Sequence, residues 1–328
     1  GVEQAETCLR AFAIRRKKMI KKDFIYEVID RVRNRVGDTC ELLIKTTPRN
    51  NGQHLTGIVF KKKEGVSPLV YLDKYYDQYV SDGMNMVEIV DEIARIQEDG
   101  GIQEMIGSGC LTDYEAVQSK IRLKLINYEA NQARLETMPY IPFLDTAIVF
   151  YIEIDSDSMK LLTAAVEHHH LEIWGVGKER IYEDALCNMR TCYPVSIRPM
   201  MSVMEDFAER MGGGLDISML RESIPRDRGF WVMTTETGLQ GAATLLYGDG
   251  LKQFAELDGD DIVILPSSRH EVLLIPQRQV NGKYESFSHM VEMVNETEVS
   301  MEDRLSNSVY LYSREKDSIT IAHRGPSL

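Results

Sequence analysis

The spacing of apolar residues predicts an N-terminal helix followed by three strands. Apolar positions recur with helical spacing over residues 23–36, which predicts a helix with one packed face. Two β-type runs follow at 40–46 and 55–62, and the Pro and Gly of the PRNNG segment between them favour a loop. A third short apolar run at 68–72 would complete a three-stranded meander.

Helical and strand patterns continue through the rest of the chain. The Thr-x-x-Glu spacing of Thr112 and Glu115 has the form of a capping box and predicts a helix through about Ile126. The segment TAIVFYIEID is apolar on both faces and predicts a buried strand. The same rules predict two helices within 73–101, the second of which ends at Gly100-Gly101, and helices over 178–189, 202–211, 239–247, 251–257 and 284–295. They also predict strands over 231–235, 262–265 and 272–275, and a closing hairpin from SVYLYS and SITIA.

These elements favour the α+β class, because strands and helices mix without a regular strand–helix alternation. We expect two mixed α+β parts: an N-terminal three-stranded meander with helices, and a larger C-terminal mixed sheet with helices. Pro139 and Pro142 break the periodicity and place the junction between domains 19–130 and 140–328. Residues 1–18 precede a natural start at Met19, and we expect them to be disordered or an upstream extension.

Composition narrows the class of protein. With 328 residues, 43% hydrophobic and 27% charged, the chain has the makeup of a globular protein with a sizeable core. No apolar run approaches the roughly 20 residues of a membrane span. The N-terminal CLRAFAI run is short and contains Arg10, so we expect no secretory segment in it. Five scattered cysteines favour reduced thiols over a disulfide framework. We therefore expect a cytoplasmic protein that does not enter a membrane.

Charge is distributed unevenly. The net charge is −13, yet residues 1–63 hold 15 Lys/Arg against 7 Asp/Glu. The acidic remainder makes nucleic acid an unlikely partner, because it repels phosphates. A nucleic-acid contact through residues 10–22 and 61–63 stays an alternative. An unknown protein partner is also open, including a basic one that binds the acidic surface.

Several motifs suggest chemistry, but none is complete. His168, His169 and His170 are consecutive and point in different directions, so we predict no metal site there and expect His170 to be structural. The MGGGLD segment lacks the framework of a phosphate-binding loop and favours a helix end. Cys187 and Cys192 are more typical of small buried residues than of nucleophiles. We predict no cofactor.

The most specific polar segment is PSSRHE, which lies between two apolar runs. Ser267, Ser268, His270 and Glu271 supply the residue types of acyl transfer. Neighbours in a tight hairpin rarely reach the required Ser–His geometry, and the chain has no GxSxG elbow. Pro and Ser are common in turns, so the residues by themselves favour a hairpin turn.

The chain resembles a family of uncharacterised bacterial proteins. The segments that carry the resemblance include YLDKYYDQYVSDGMNMVEIVDEI, GAATLLYGDGLKQFAE, DDIVILPSSRHEVLLIP and VNETEVSMEDRLSNSVYLYSR. The family is a domain of unknown function, common in gut clostridia and often found among mobile-element genes. Its PSS-x-HE and HLExWG patterns map here onto Pro266, Ser267, Ser268, His270 and Glu271, and onto His170, Leu171, Glu172, Trp174 and Gly175. The resemblance implies no activity.

We therefore expect a non-enzymatic binding or regulatory module. In this hypothesis Ser267, Ser268, His270 and Glu271 hold a neighbouring loop or a partner by hydrogen bonds, with His170 and Trp174 nearby. The alternative is a hydrolase in which His270 is the general base, Ser267 or Ser268 the nucleophile, and Glu271 the orienting acid.

Overall fold

The computed structural model describes residues 19–37, 41–61, 69–98, 112–157, 160–210 and 229–328. Internal packing divides the chain into two compact units, the first comprising residues 1–48 and 54–108 and the second comprising 49–53 and 109–328. The predicted domain bounds, 19–130 and 140–328, stay a prediction. Residues 1–18, the MGGGLD segment and Lys62–Lys63 lie outside the described residues.

The first unit contains the predicted meander. Its three strands form one antiparallel sheet in the order β1-β2-β3, which confirms that prediction. The elements are helix α1 Lys21–Val36, strands β1 Glu41–Pro48, β2 His54–Lys61 and β3 Leu69–Tyr71, and helices α2 Leu72–Asp77 and α3 Met86–Glu98.

Helix α1 packs its apolar face into the core of the first unit. Phe24 is fully buried and contacts the rings of Tyr76 and Tyr79, with ring centres 5.3 and 5.2 Å away. Tyr26 lies on the opposite face and is 58% exposed. The 3.6-residue period of the sequence thus matches the packed face.

The second unit holds two antiparallel sheets. One has six strands in the order β13-β12-β10-β11-β9-β8, and in the other β6 pairs with β4 along one edge and with β5 and β7 along the other. The strands are β4 Ile121–Asn127, β5 Tyr140–Phe143, β6 Thr146–Asp157, β7 Lys160–Ala165, β8 Val195–Pro199, β9 Trp231–Thr235, β10 Ile262–Leu265, β11 Val272–Pro276, β12 Val309–Ser313 and β13 Ser318–His323.

Helices cover these sheets, and the α+β class is confirmed. Short 3-10 helices occur at Asn50–Gly52, Gln118–Lys120, Glu129–Asn131 and Gly241–Leu246. The α-helices are α4 Tyr114–Val117, α5 Gln132–Leu135, α6 His168–Trp174, α7 Lys178–Cys192, α8 Met200–Arg210, α9 Asp249–Asp258, α10 Gln277–Val280 and α11 Tyr284–Thr297.

The helix predicted from Thr112 through Ile126 is wrong. The helix α4 ends at Val117, and its N-cap is Asp113, whose carboxylate accepts a hydrogen bond from the backbone N–H of Glu115 at 3.1 Å. Residues 121–127 form β4 instead. Their side chains alternate between the main core and the opposite face, and this period of two decides in favour of a strand.

The main core of the second unit lies between its two sheets. Ile262 and Ile264 of β10 enter this core together with residues of β4 and β6, whereas Val263 and Leu265 pack on the other face beneath α11. Burial on both faces explains why β10 is apolar throughout. In the described part of the chain, no helix combines the length and apolar character that a membrane span needs.

We expect Phe24→Ala to destabilise the first unit by about 3–5 kcal/mol, because it removes a fully buried ring and leaves a cavity. Tyr26→Ala on the exposed face of the same helix is the control, and its effect should stay within about 0.5 kcal/mol. Urea unfolding followed by far-ultraviolet circular dichroism measures both. Equal losses in the two variants would contradict this packing.

Candidate functional site

The PSSRHE segment lies beside residues 303–306 in an irregular ladder of backbone hydrogen bonds. The carbonyl oxygens of Pro266 and Ser267 accept from the N–H groups of Ser306 and Leu305, at 3.0 and 2.9 Å. The N–H of Arg269 donates to the carbonyl of Asp303 at 2.9 Å. The six residues between β10 and β11 are thus held along one side by another segment of the second unit.

His270 is fixed by its backbone and by both ring nitrogens. Its N–H donates to Ser268 Oγ at 3.0 Å, and its carbonyl accepts from Thr234 Oγ1 at 2.7 Å. Ring Nδ1 accepts from the N–H of Gln240 at 3.4 Å, and Nε2 lies 3.2 Å from Asp303 Oδ1. Nε2 also lies 3.2 Å from Arg269 Nε, which donates to it, so Arg269 and Asp303 both contact this ring nitrogen.

Asp303 is the electrostatic centre of this cluster. Its carboxylate contacts His270, Arg269 Nη2 at 2.7 Å and the hydroxyl of Ser300 at 2.7 Å. The hydrogen bond from His270 is the largest effect that holds the pKa of Asp303 well below its usual range, with further lowering by Ser300 and Arg269. Asp303 is therefore ionised at neutral pH and orients both neighbours.

The serines and Glu271 do not form a nucleophile with a base. Ser268 is buried, and its hydroxyl oxygen accepts from the His270 backbone. Burial raises the pKa of Glu271, against the lowering effects of the His270 charge and of a hydrogen bond from Ser268. Among the described residues, no hydrogen bond joins a serine hydroxyl to the His270 ring. Three described cavities, of ≈ 310, 380 and 390 Å³, are lined by other residues.

His170 and Trp174 lie on α6, away from this ladder. His170 Nδ1 accepts from the N–H of Glu167 at 2.9 Å and thereby caps the helix. Its ring lies 5.4 Å from that of Trp174, which packs against Tyr114. Burial is the main cause that lowers the pKa of His170. None of the described hydrogen bonds of residues 266–271 comes from α6.

Metal ligands are sparse in the described part of the chain, where no group of three or more His, Cys, Asp or Glu side chains could hold an ion. The prediction that His168–His170 bind no metal stays a prediction.

Sequence reasoning missed the asparagines that anchor the segment 300–308. Asn50 donates to the Glu302 carbonyl at 2.7 Å, and Asn51 donates to the carbonyls of Met301 and Arg304 at 2.6 and 2.8 Å. Asn51 also exchanges two 2.9 Å hydrogen bonds with Asn131. The two adjacent asparagines of PRNNG were a sequence signal for these contacts. They were assigned to a turn, where asparagine is common.

Sequence reasoning also missed Lys124, since it placed this residue on a helix. On β4, Lys124 is partly buried, and its Nζ lies 5.5 Å from the centre of the Tyr151 ring. Burial is the largest effect on its amine, and the charges of Arg134, Arg269 and Arg49 add to it, so that the pKa of Lys124 falls to about 7. Glu302 is the nearby carboxylate that opposes this shift.

Gly241 lets the 3-10 helix approach the candidate loop. The N–H of the next residue, Ala242, donates to the Arg269 carbonyl at 3.1 Å. A Cβ at position 241 would lie 2.1 Å from the carbonyl oxygen of His270 and 2.2 Å from Thr234 Oγ1. Any side chain there would push the two segments apart.

We expect Gly241→Ala to lower the free energy of unfolding by about 3 kcal/mol, at the upper end of the range for overpacking. Gly229→Ala is the control, because nothing lies within 4 Å of its added methyl group, and its effect should stay within about 0.5 kcal/mol. Urea denaturation followed by tryptophan fluorescence measures both. A fully stable Gly241→Ala variant would show that the loop does not approach the helix this closely.

We expect Asp303→Asn to cost about 1–3 kcal/mol at pH 7 and to flatten the acid end of the stability profile. The folded-state pKa of Asp303 lies below its unfolded value near 3.9, so its contribution is complete above that value and is lost as pH falls. Unfolding measured from pH 7 to pH 3 should show a steeper loss for the wild type. Exposed Asp77→Asn is the control, and identical acid profiles for Asp303→Asn and the wild type would contradict the assignment.

Comparison with known proteins adds the family but no activity. A model described as a family of unknown function, DUF5688, matches residues 21–314 and so includes the ladder, Lys124 and α6. No curated protein and no solved structure matches the chain. Because the family model covers most of the sequence, the chain belongs to the DUF5688 family.

Proposed function

We propose that this chain is a non-enzymatic binding module that recognises a small anionic ligand beside Lys124 on β4. The observation that carries the proposal is that the charges of Arg134, Arg269 and Arg49 act on the partly buried Lys124, against the opposing charge of Glu302. Such a group of cations offers a carboxylate or phosphate several charge-assisted hydrogen bonds.

In this proposal the PSSRHE segment has a structural role: it positions residues of the anion site and catalyses no reaction. The backbone of Arg269 is hydrogen-bonded to Asp303 and Ala242. Its guanidinium group forms an ion pair with the Asp303 carboxylate. Ser268, His270 and Asp303 therefore fix the position of one cation near Lys124. Arg49 directly precedes Asn50 and Asn51, whose side chains donate to the carbonyls of Glu302 and Met301.

A small ligand fits the charge distribution better than a nucleic acid does. The chain carries −13 overall, which repels an extended polyanion. A small anion responds mainly to charges within about one Debye length, roughly 8 Å at physiological ionic strength. The local cations can therefore bind it despite the acidic surroundings.

The hydrolase alternative has a His270–Asp303 pair in its favour, but none of the described residues places a nucleophile in hydrogen-bond contact with the ring. The Nδ1 position that a serine would need accepts from Gln240. We therefore favour a supporting role for Ser267, Ser268, His270 and Glu271. A cytoplasmic location, a protein partner and an origin in gut clostridia or mobile elements stay predictions from the sequence and the resemblance.

We expect the protein to bind inorganic phosphate or malonate at constant ionic strength, with an affinity that falls about tenfold in Lys124→Met through the loss of one charged contact. Lys120→Met is the matched control, because Lys120 is exposed on the turn just before β4. Isothermal titration calorimetry measures the dissociation constants. Absence of binding in the wild type, or equal loss in both variants, would refute the proposed site.

A further inference from the structure

Strand β1 forms an open edge of the sheet in the first unit. In the order β1-β2-β3, one side of Glu41–Pro48 has no strand neighbour among the described residues. The described backbone hydrogen bonds outside helices and sheets include none from this strand. With eight residues, β1 is longer than a common strand of about five or six. Its free side is therefore a long row of N–H and C=O groups to which another strand can pair.

Two large apolar residues of this edge are exposed. Ile44 lies opposite Ile58 of β2, so both point to the same face of the sheet. Ile58 is fully buried in the core of the first unit, whereas Ile44 is 53% exposed. Leu43 points to the other face and is 41% exposed. The described elements that bury the middle of the sheet thus leave both apolar side chains of the edge strand uncovered.

We propose that β1 pairs antiparallel with β1 of a second copy of this chain. A two-fold axis perpendicular to the sheet relates the two copies and joins their three-stranded sheets into one continuous sheet. Such an axis keeps each face of the sheet on the same side, and residues that lie opposite each other share a face. The axis must therefore pass through a residue of β1, because an axis between two residues would oppose side chains of different faces.

The charges of β1 select the residue on this axis. With the axis at Leu43, Glu41 of each copy lies opposite Lys45 of the other copy, and two pairs of opposite charge form. Leu42 then lies opposite Ile44, so the uncovered Ile44 gains an apolar neighbour on the core face. An axis at Glu41 or Lys45 would oppose two like charges, which is destabilising. An axis at Leu42 or Ile44 would pair neither charge.

The side chains of this edge are free to make these contacts. Lys45 lies opposite Gly57 of β2, and no described carboxylate forms an ion pair with it. Glu41 pairs with Lys61 at 2.9 Å, but both side chains are more than half exposed, and a carboxylate has oxygens for two cations. Pro48, which has no N–H to donate, lies beyond the paired residues 41–45. The pairing is therefore compatible with the contacts inside each copy.

Sedimentation equilibrium of the full chain tests the pairing, and we expect a particle of twice the mass of one chain. Lys45→Glu opposes Glu to Glu and should raise the dimer dissociation constant about tenfold. The double variant Glu41→Lys/Lys45→Glu restores opposite charges with their signs exchanged and should recover most of that loss. Lys74→Glu is the control, because it changes the net charge equally at an exposed position of α2.

A monomer at every concentration would overturn the proposal and leave the edge to a different partner. A dimer that is equally stable in the wild type, Lys45→Glu and Lys74→Glu would overturn it as well, because another surface then forms that dimer.

Cysteine substitution tests the register. Leu43→Cys brings two thiols together on the axis, where opposite Cβ atoms are about 4.5–5.5 Å apart, and mild oxidation should link the two copies there. Thr46→Cys is the control, because its two copies lie about 20 Å apart along the strands in this register. Mass spectrometry of the peptides separates this link from links through the exposed Cys187 and Cys192. Equal linking at positions 43 and 46 would contradict the pairing.

Discussion

The structure of the second unit depends on burying a polar segment that has no regular secondary structure. Residues 305–308 are buried, and their backbone groups cannot bond within a helix or a sheet. Each carbonyl left without a partner would cost free energy comparable to a lost hydrogen bond. Side chains supply the partners: Asn127 donates to the carbonyl of Leu305, Asn295 to that of Ser306 and Ser288 to that of Asn307. Asn50 and Asn51 do the same for the carbonyls of Met301, Glu302 and Arg304, which come just before.

The same requirement positions the rest of the cluster. Asp145 accepts hydrogen bonds from Ser306 and Ser308 at 2.7 Å and from the buried hydroxyl of Tyr310. On the opposite flank, Pro266 and Ser267 complete the backbone bonding of Leu305 and Ser306. The PSSRHE loop is therefore part of a buried polar network, in which its backbone and side chains form hydrogen bonds to several neighbouring segments.

Electrostatics link this network to the face of β4. Asp303 neutralises part of the charge of Arg269 and orients His270, while Lys124 has no carboxylate of its own among the described residues. A lysine in such a place lowers the stability of the fold, because its protonated form is disfavoured there. Sites of this kind are frequent where a protein binds or transforms a ligand.

The elements with a clear period could be predicted from the sequence, and they are present. The meander of the first unit, α7, β6, the β10–β11 hairpin and the closing hairpin all follow from local spacing. The segment 114–127 could not be assigned in this way, because Tyr114 to Val117 has helical spacing and the alternation that follows, IRLKLIN, is short. Only pairing with β6 made it a strand.

For the candidate site, the sequence by itself determined the polar residue types of the PSSRHE loop and the position of this loop between two apolar strands. It could not place Asp303 or Gln240 beside that loop, since they lie 33 and 30 residues from His270 along the chain. Tertiary structure also decided the character of Lys124, which depends on burial and on the charges of Arg49, Arg134 and Arg269. Local spacing reports which face of an element is apolar, whereas the pKa of a group depends on everything that packing brings near it.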